Sequence, residues 1–188
     1  MSITTELAAH STEVTVEELL ASNDVDRFEI VDGQLKELHV SNLSTEVNAF
    51  LFSLLRAYCE QHKLGKAFGA EGYYQCFGHA GRNARRPVVS FVSAARLPAD
   101  WLSQSYFTIP PDFAAEIISP NDLAYEVDQK IREYLQAGVR LVWEINPEAR
   151  LVIVHRLDGT LQKLQENDTL SGEYVIGGFS CRLADILP

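Results

Sequence analysis

Cysteine is scarce in this 188-residue chain. The three present, Cys59, Cys76 and Cys181, are odd in number, far apart and without CxxC spacing. Such a set builds neither a disulfide framework nor a zinc site, so reduced thiols are expected. Positive charge is also short: 16 Lys+Arg stand against 26 Asp+Glu, and the net charge of −10 disfavours a nonspecific grip on nucleic acid across the whole surface. No apolar run approaches the roughly 20 residues of a membrane-spanning helix. The first fourteen residues contain Glu6, His10 and Glu13, with no basic start and no long apolar segment. Neither a secretory signal nor a transit peptide is read there, and the cytoplasm is the expected location. Missing as well are G-x-x-x-x-G-K-[ST], a strand-associated G-x-G-x-x-G, G-x-S-x-G and H-E-x-x-H, which removes the common signatures of nucleotide, dinucleotide, serine-hydrolase and zinc-protease chemistry.

What remains is an ordinary globular composition, 46% hydrophobic and 22% charged, which excludes collagen-like and wholly disordered readings. Thr15 and Glu18 form a T-x-x-E capping box ahead of a short helix, after a flexible start over 1–14. Phe28 to Val31 and Leu35 to Val40 are β-leaning runs divided by Asp32-Gly33, a hairpin signal. Val47, Phe50, Leu51, Leu54, Leu55 and Tyr58 recur at helical spacing, with Ser44 as the cap and Gly65 as the stop. Short strands follow around 66–70 and 73–77, then a Gly- and Arg-rich loop over 78–86, then a buried strand from Val88 to Val92. Residues 94–110 read as irregular. Phe113 to Ile118 is a central strand, broken by Ser119-Pro120. Asn121 or Asp122 caps a helix with the stripe Leu123, Val127, Ile131, Tyr134 and Leu135, ending at Gly138. The rest is β-rich: Val139 to Ile145, Leu151 to His155, and a last strand near Glu173 to Ile176. One α+β domain over 15–188 with a mixed central sheet is expected.

The unusual residue is Glu116, a carboxylate inside Phe113-Ala114-Ala115-Glu116-Ile117-Ile118, where its neighbours predict burial. A buried carboxylate must be paired, hydrogen-bonded or bound to a cation. Lys130, fourteen positions on, sits beside the apolar stripe of the next helix and can reach back over the sheet. The plainer reading pairs it with Glu126 at i,i+4 on an exposed face. Arg82, Arg85, Arg86 and Arg96 form either a local basic strip or a solvated loop. The five histidines, His10, His39, His62, His79 and His155, are scattered without ligand spacing.

The order of these pieces is more specific than any one of them. Phe28-Glu29-Ile30-Val31-Asp32-Gly33, Arg85-Arg86-Pro87 with Val89-Ser90-Phe91, Pro111-Asp112-Phe113 through Glu116-Ile117-Ile118-Ser119-Pro120, Lys130 through Tyr134 and Gly138, Trp143-Glu144-Ile145-Asn146-Pro147 and Gly177-Gly178-Phe179 follow one another along the chain. In this order the sequence resembles the Uma-type restriction endonuclease family within the PD-(D/E)xK nuclease superfamily, over roughly residues 15 to 188. The resemblance implies a restriction-endonuclease-like core with additional β-hairpins, magnesium- or manganese-dependent cleavage of DNA, and a homodimer or other homo-oligomer. It makes Glu116 a metal ligand, Lys130 the lysine of the motif, moved onto the helix from the strand position now held by Ile118, and Glu29 a third candidate. For Glu29 the plainer alternative is an exposed strand residue.

One departure falls at a decisive position. Where the family motif reads Arg-Arg-Pro-Asp, this chain has Arg85-Arg86-Pro87-Val88, and valine cannot ligate an ion. Metal binding is therefore expected to be weak or absent, and cleavage impaired. Asp112 shares a strand face with Glu116, but four residues at ~3.3 Å each separate their Cα atoms by about 13 Å, too far to share an ion. Asp112 is expected to be structural, while Glu71, Glu126 and Asp128 are conceivable stand-ins without a geometry. The rival expectation is an inactive nuclease-fold protein that binds nucleic acid or a protein partner. A metal-independent enzyme using Glu116 and Lys130 as acid and base is open in principle but has no supporting motif.

Overall fold

The computed structural model describes residues 13–23 and 25–188. Of the segment expected to be flexible, residues 1–12 lie outside the described residues; the Val14 N–H donates to the Gly33 carbonyl at 2.9 Å. Helix α1 (Val16–Leu20) starts at the expected Thr15–Glu18 capping box. Strands β1 (Phe28–Val31) and β2 (Gln34–Glu37) pair antiparallel through Asp32-Gly33. Both turn residues have positive φ, 49° and 75°, as a tight two-residue hairpin demands.

Helix α2 (Asn42–Gln61) begins one turn earlier than Ser44 suggests, because Ser41 is the cap and Ser44 answers it as the reciprocal member of the capping box. Gly65 opens β3 (Gly65–Phe68) rather than capping the helix. Its φ is +153°, and a Cβ there would lie 2.2 Å from the Val92 carbonyl of the neighbouring strand. Next come β4 (Tyr74–Phe77), β5 (Asn83–Arg85), β6 (Val89–Ser93) and β7 (Phe113–Ile117). Helix α3 (Ala124–Gln136) then leads to β8 (Leu141–Asn146), β9 (Leu151–Arg156), β10 (Leu161–Gln165), β11 (Thr169–Ser171), β12 (Ser180–Arg182) and α4 (Leu183–Ile186).

The result is an α+β fold with a mixed six-stranded sheet, order β10-β9-β8-β7-β6-β3. Only β7 and β8 run parallel, joined by the α3 crossover; the other neighbours are antiparallel. A four-stranded sheet, β2-β1-β5-β4, and the ribbon β11-β12 complete it. Helix α2 buries Val47, Leu51, Leu55 and Cys59 against Phe113, Ala115, Leu141, Trp143 and Ile145 on one face of the large sheet. Helix α3 buries Ile131 and Tyr134 against Ala114 and Val142 on the other face, and against Tyr74 and Phe77 of β4. With period two along β7, Ala114 and Glu116 therefore share the α3 face.

Three further local expectations change. Leu123, not Asn121 or Asp122, occupies the N-cap position of α3 and makes no side-chain cap; the Asp122 carboxylate instead accepts the Ser119 N–H at 2.7 Å. Residues 83–85, expected in a loop, form a buried strand at the heart of the smaller sheet. Glu173 to Ile176 is a turn, in which the Val175 and Ile176 N–H groups both donate to the Gly172 carbonyl. Val175 and Ile176 are adjacent and both buried, a pattern that strand alternation cannot satisfy on a one-sided sheet.

Candidate active site

The site lies where α3 passes between the two sheets. Lys130 and Tyr134 stand four apart on α3, hence on one face, and both reach Glu116 of β7. The Lys130 ammonium donates to Glu116 Oε2 at 3.0 Å and the Tyr134 hydroxyl to Glu116 Oε1 at 2.6 Å. From the smaller sheet comes Glu29 of β1, whose Oε1 lies 2.8 Å from the same ammonium. One lysine thus bridges two carboxylates that belong to different sheets.

Strand β5 completes the array. The β1–β5 register pairs Ile30 with Ala84, so Glu29 and Arg85 occupy one face of adjacent strands. Arg85 donates to Glu29 Oε2 at 3.1 Å and grips Glu133 with two bonds, Nε to Oε2 at 2.9 Å and a terminal nitrogen to Oε1 at 3.0 Å. The Arg86 backbone N–H donates to Glu29 Oε1 at 2.7 Å. All of Glu29, Arg85, Glu116 and Glu133 are buried, and the Lys130 side chain is only 12% exposed.

Three carboxylates in this group face two cations, and the surplus falls on Glu116. Burial pushes its carboxyl above the usual carboxylate range; Lys130 opposes this and nearby Glu29 adds to it. Burial also works against an ionised Glu29, but Lys130 and Arg85 together hold its carboxyl below that range. Lys130 itself is raised above an ordinary lysine: burial opposes its charge, and Glu116 and Glu29 outweigh that.

Glu29, Glu116, Lys130 and Arg85 line a cavity of about 170 Å³, and Val88 lines it too. At its rim Lys36 of β2 is ion-paired with Glu126 of α3. Glu126 is thereby taken from Lys130, so the exposed i,i+4 pair gives way to a buried one. Neither Glu71 nor Asp128 lines this cavity, and both are exposed. Asp112 is fully buried at the other end of β7, where Arg96, Arg140 and the Ser93 N–H hold it, as a structural carboxylate should be.

Sequence reasoning brought Glu116 and Lys130 together but misread their surroundings. Glu29 is 1% exposed rather than a surface strand residue. Arg85 and Arg86 form no solvated strip: Arg85 is spent on two glutamates, and the Arg86 side chain on the Ala70 and Val25 carbonyls. Arg82 pairs with Glu13 and Arg96 with Asp112. Glu133 was missed, although its i,i+3 step from Lys130 places it on the same helix face.

The model of the Uma2 family, described as "Putative restriction endonuclease", matches residues 15–184. The chain belongs to the Uma2 family. Among solved structures it is similar to a putative nuclease belonging to DUF820 from Anabaena variabilis ATCC 29413, with a TM-score of 0.79 at 18% identity, covering 93% of this chain and 97% of that one. No curated protein matches. The Uma2 match spans Glu29, Val88, Glu116 and Lys130, the residues that meet at the cavity.

Restriction-endonuclease-like folds work with divalent metals, so the donor set of this Uma2 chain can be tested for fit. Among the described residues no group of three or more His, Cys, Asp or Glu side chains is placed to hold a metal ion. Val88 offers no oxygen, and all four oxygens of Glu29 and Glu116 already accept hydrogen bonds from protein donors. Mg²⁺ demands near-octahedral oxygens at about 2.1 Å. These residues do not fit a resident magnesium ion.

Proposed function

We propose that this Uma2 protein carries a DNA endonuclease site of the PD-(D/E)xK type whose cleavage is impaired by Val88. The observation that supports the reading is the meeting of Glu116 and Lys130 in one cavity, with Val88 on its wall. Phosphodiester hydrolysis develops negative charge on the attacking and departing oxygens, which the parent chemistry offsets with a carboxylate-held cation and a lysine. Glu116 is, in this reading, the carboxylate retained from the family's metal-binding pair, Lys130 the lysine and Glu29 their buried support. The partner is DNA, the location the cytoplasm and the assembly a homodimer or other homo-oligomer. No helix among the described residues is long and apolar enough to cross a membrane.

A second reading, a nuclease-fold protein that binds nucleic acid or a protein partner without cutting, is favoured by the committed oxygens of Glu29 and Glu116. Supercoiled plasmid incubated with Mg²⁺ or Mn²⁺ separates the two. Slow nicking by the wild-type chain that disappears in Glu116→Ala supports the impaired nuclease. DNA retention with no nicking at any metal concentration supports the binder.

A further inference from the structure

The cation at this site is supplied by the chain itself. The Lys130 ammonium is 2.8 Å from Glu29 Oε1 and 3.0 Å from Glu116 Oε2. A divalent ion bridging the same two oxygens would need each at about 2.1 Å, so each would close by roughly 0.7 to 0.9 Å around almost the same point. An ammonium and a dication cannot share that point. Nor does the wall offer an adjacent site, because position 88 is apolar and partly packed into the core beneath α2. Expelling Lys130 would leave its charge to find water through a cavity whose rim Lys36 and Glu126 bridge.

We infer that Lys130 is the resident cation of this site, standing between Glu29 and Glu116 in place of a divalent ion, so that the wild-type chain binds no metal there. This rests on the reading that the cavity descends from a nuclease metal site, and it assigns Lys130 a different job: a built-in counter-ion rather than a partner to a bound metal. Neutralising the lysine while keeping its length and apolar stem should return the two carboxylates to a metal. Lys130→Met leaves Glu29 and Glu116 facing one gap, with Arg85 still paired to Glu29.

The test reads metal binding without substrate. Calorimetric titration of wild-type protein with Mn²⁺ should give no saturable heat. Lys130→Met should bind one Mn²⁺ per chain, with a dissociation constant at or below about 10⁻³ M, the weak end of oxygen-ligand sites. Adding Glu116→Gln to that variant should abolish the binding. A folded Lys130→Met protein, judged by circular dichroism, that binds no Mn²⁺ overturns the inference, as does saturable Glu116-dependent binding by the wild type. Should Lys130→Met not fold, ¹⁵N-lysine NMR of the wild-type chain decides. The Lys130 ammonium signal stays sharp in Mn²⁺ if the inference holds, and paramagnetic broadening that Glu116→Gln removes contradicts it. These outcomes are separate from the fate of the nuclease reading, which stands or falls on plasmid cleavage by Val88→Asp whatever Lys130→Met binds.

Discussion

Glu29 and Glu116, one from each sheet, accept hydrogen bonds from the same Lys130 ammonium. The two carboxylates are nevertheless in different electrostatic states. Glu29 accepts from Lys130, Arg85 and the Arg86 N–H, and its ionised form is favoured. Glu116 has Lys130 and the neutral Tyr134 hydroxyl, and its ionised form is disfavoured.

The two glutamates should therefore respond differently to the same substitution. Glu29→Gln leaves Arg85 and Lys130 short of a buried counter-charge and should cost about 3–5 kcal/mol. Glu116→Gln keeps an acceptor for Tyr134, leaves Lys130 with Glu29 and removes the surplus charge. It should lie within about 1 kcal/mol of wild type or above it at pH 7. Urea unfolding of both variants checks this, and equal losses would contradict the charge assignment.

The pH dependence follows from the sign of the Glu116 shift. Its folded-state pKa lies above the unfolded value, so the folded chain holds the proton more tightly. Stability associated with Glu116 is greatest below about pH 4.5 and is lost as pH rises through the folded pKa. The advantage of Glu116→Gln over wild type should accordingly grow with rising pH and then level off. Glu29 and Asp112, both lowered, act in the opposite sense: their contribution is present above the usual carboxylate range and is lost as pH falls through their folded values. Unfolding free energies from pH 3.5 to 8 for wild type and Glu116→Gln give the difference curve, which a flat line would refute.

Asp112 gives the contrasting case of a buried acid with no part in the cavity. Asp112→Asn should cost about 3 kcal/mol through the loss of its Arg96 and Arg140 pairs. It should leave the ¹⁵N-lysine signal of Lys130 unmoved. A large shift of that signal would couple the two ends of β7 in a way the geometry does not support.

The thiols should be inert in the native state. Burial pushes Cys59 up to about 11, Cys76 to about 12 and Cys181 to about 11, against an ordinary 9.0. A rise of two units lowers the thiolate fraction at pH 8 by about a hundredfold. Labelling with a chromogenic disulfide should be correspondingly slow in buffer and rapid in denaturant. Rapid labelling of the fully buried Cys59 in buffer would contradict this.

Much of this was legible in the chain. An acid in an otherwise apolar strand must find a cation, and a lysine fourteen residues on, one helix later, is a natural source. The α2 stripe, the Asp32-Gly33 hairpin and the central strand were equally plain, because periodicity and turn chemistry are local. Arg85 and Glu133 were not. Their burial follows from a second sheet, β2-β1-β5-β4, meeting α3, and a charged three-residue strand looks the same in sequence as a solvated loop. The burial of Glu29, a candidate from the start, was hidden for the same reason: alternation in a short strand says which residues share a face, not whether another layer covers it.

The most direct test of the proposal that Val88 disables an inherited nuclease site is plasmid cleavage by Val88→Asp in Mg²⁺ or Mn²⁺. Val88→Asn and Val88→Asp with Glu116→Ala serve as controls. The aspartate should raise the nicking rate over wild type by about 10²-fold, the scale of one electrostatic group at a reacting centre, and both controls should stay at the wild-type level or below. A folded Val88→Asp protein that nicks no faster than wild type would contradict it.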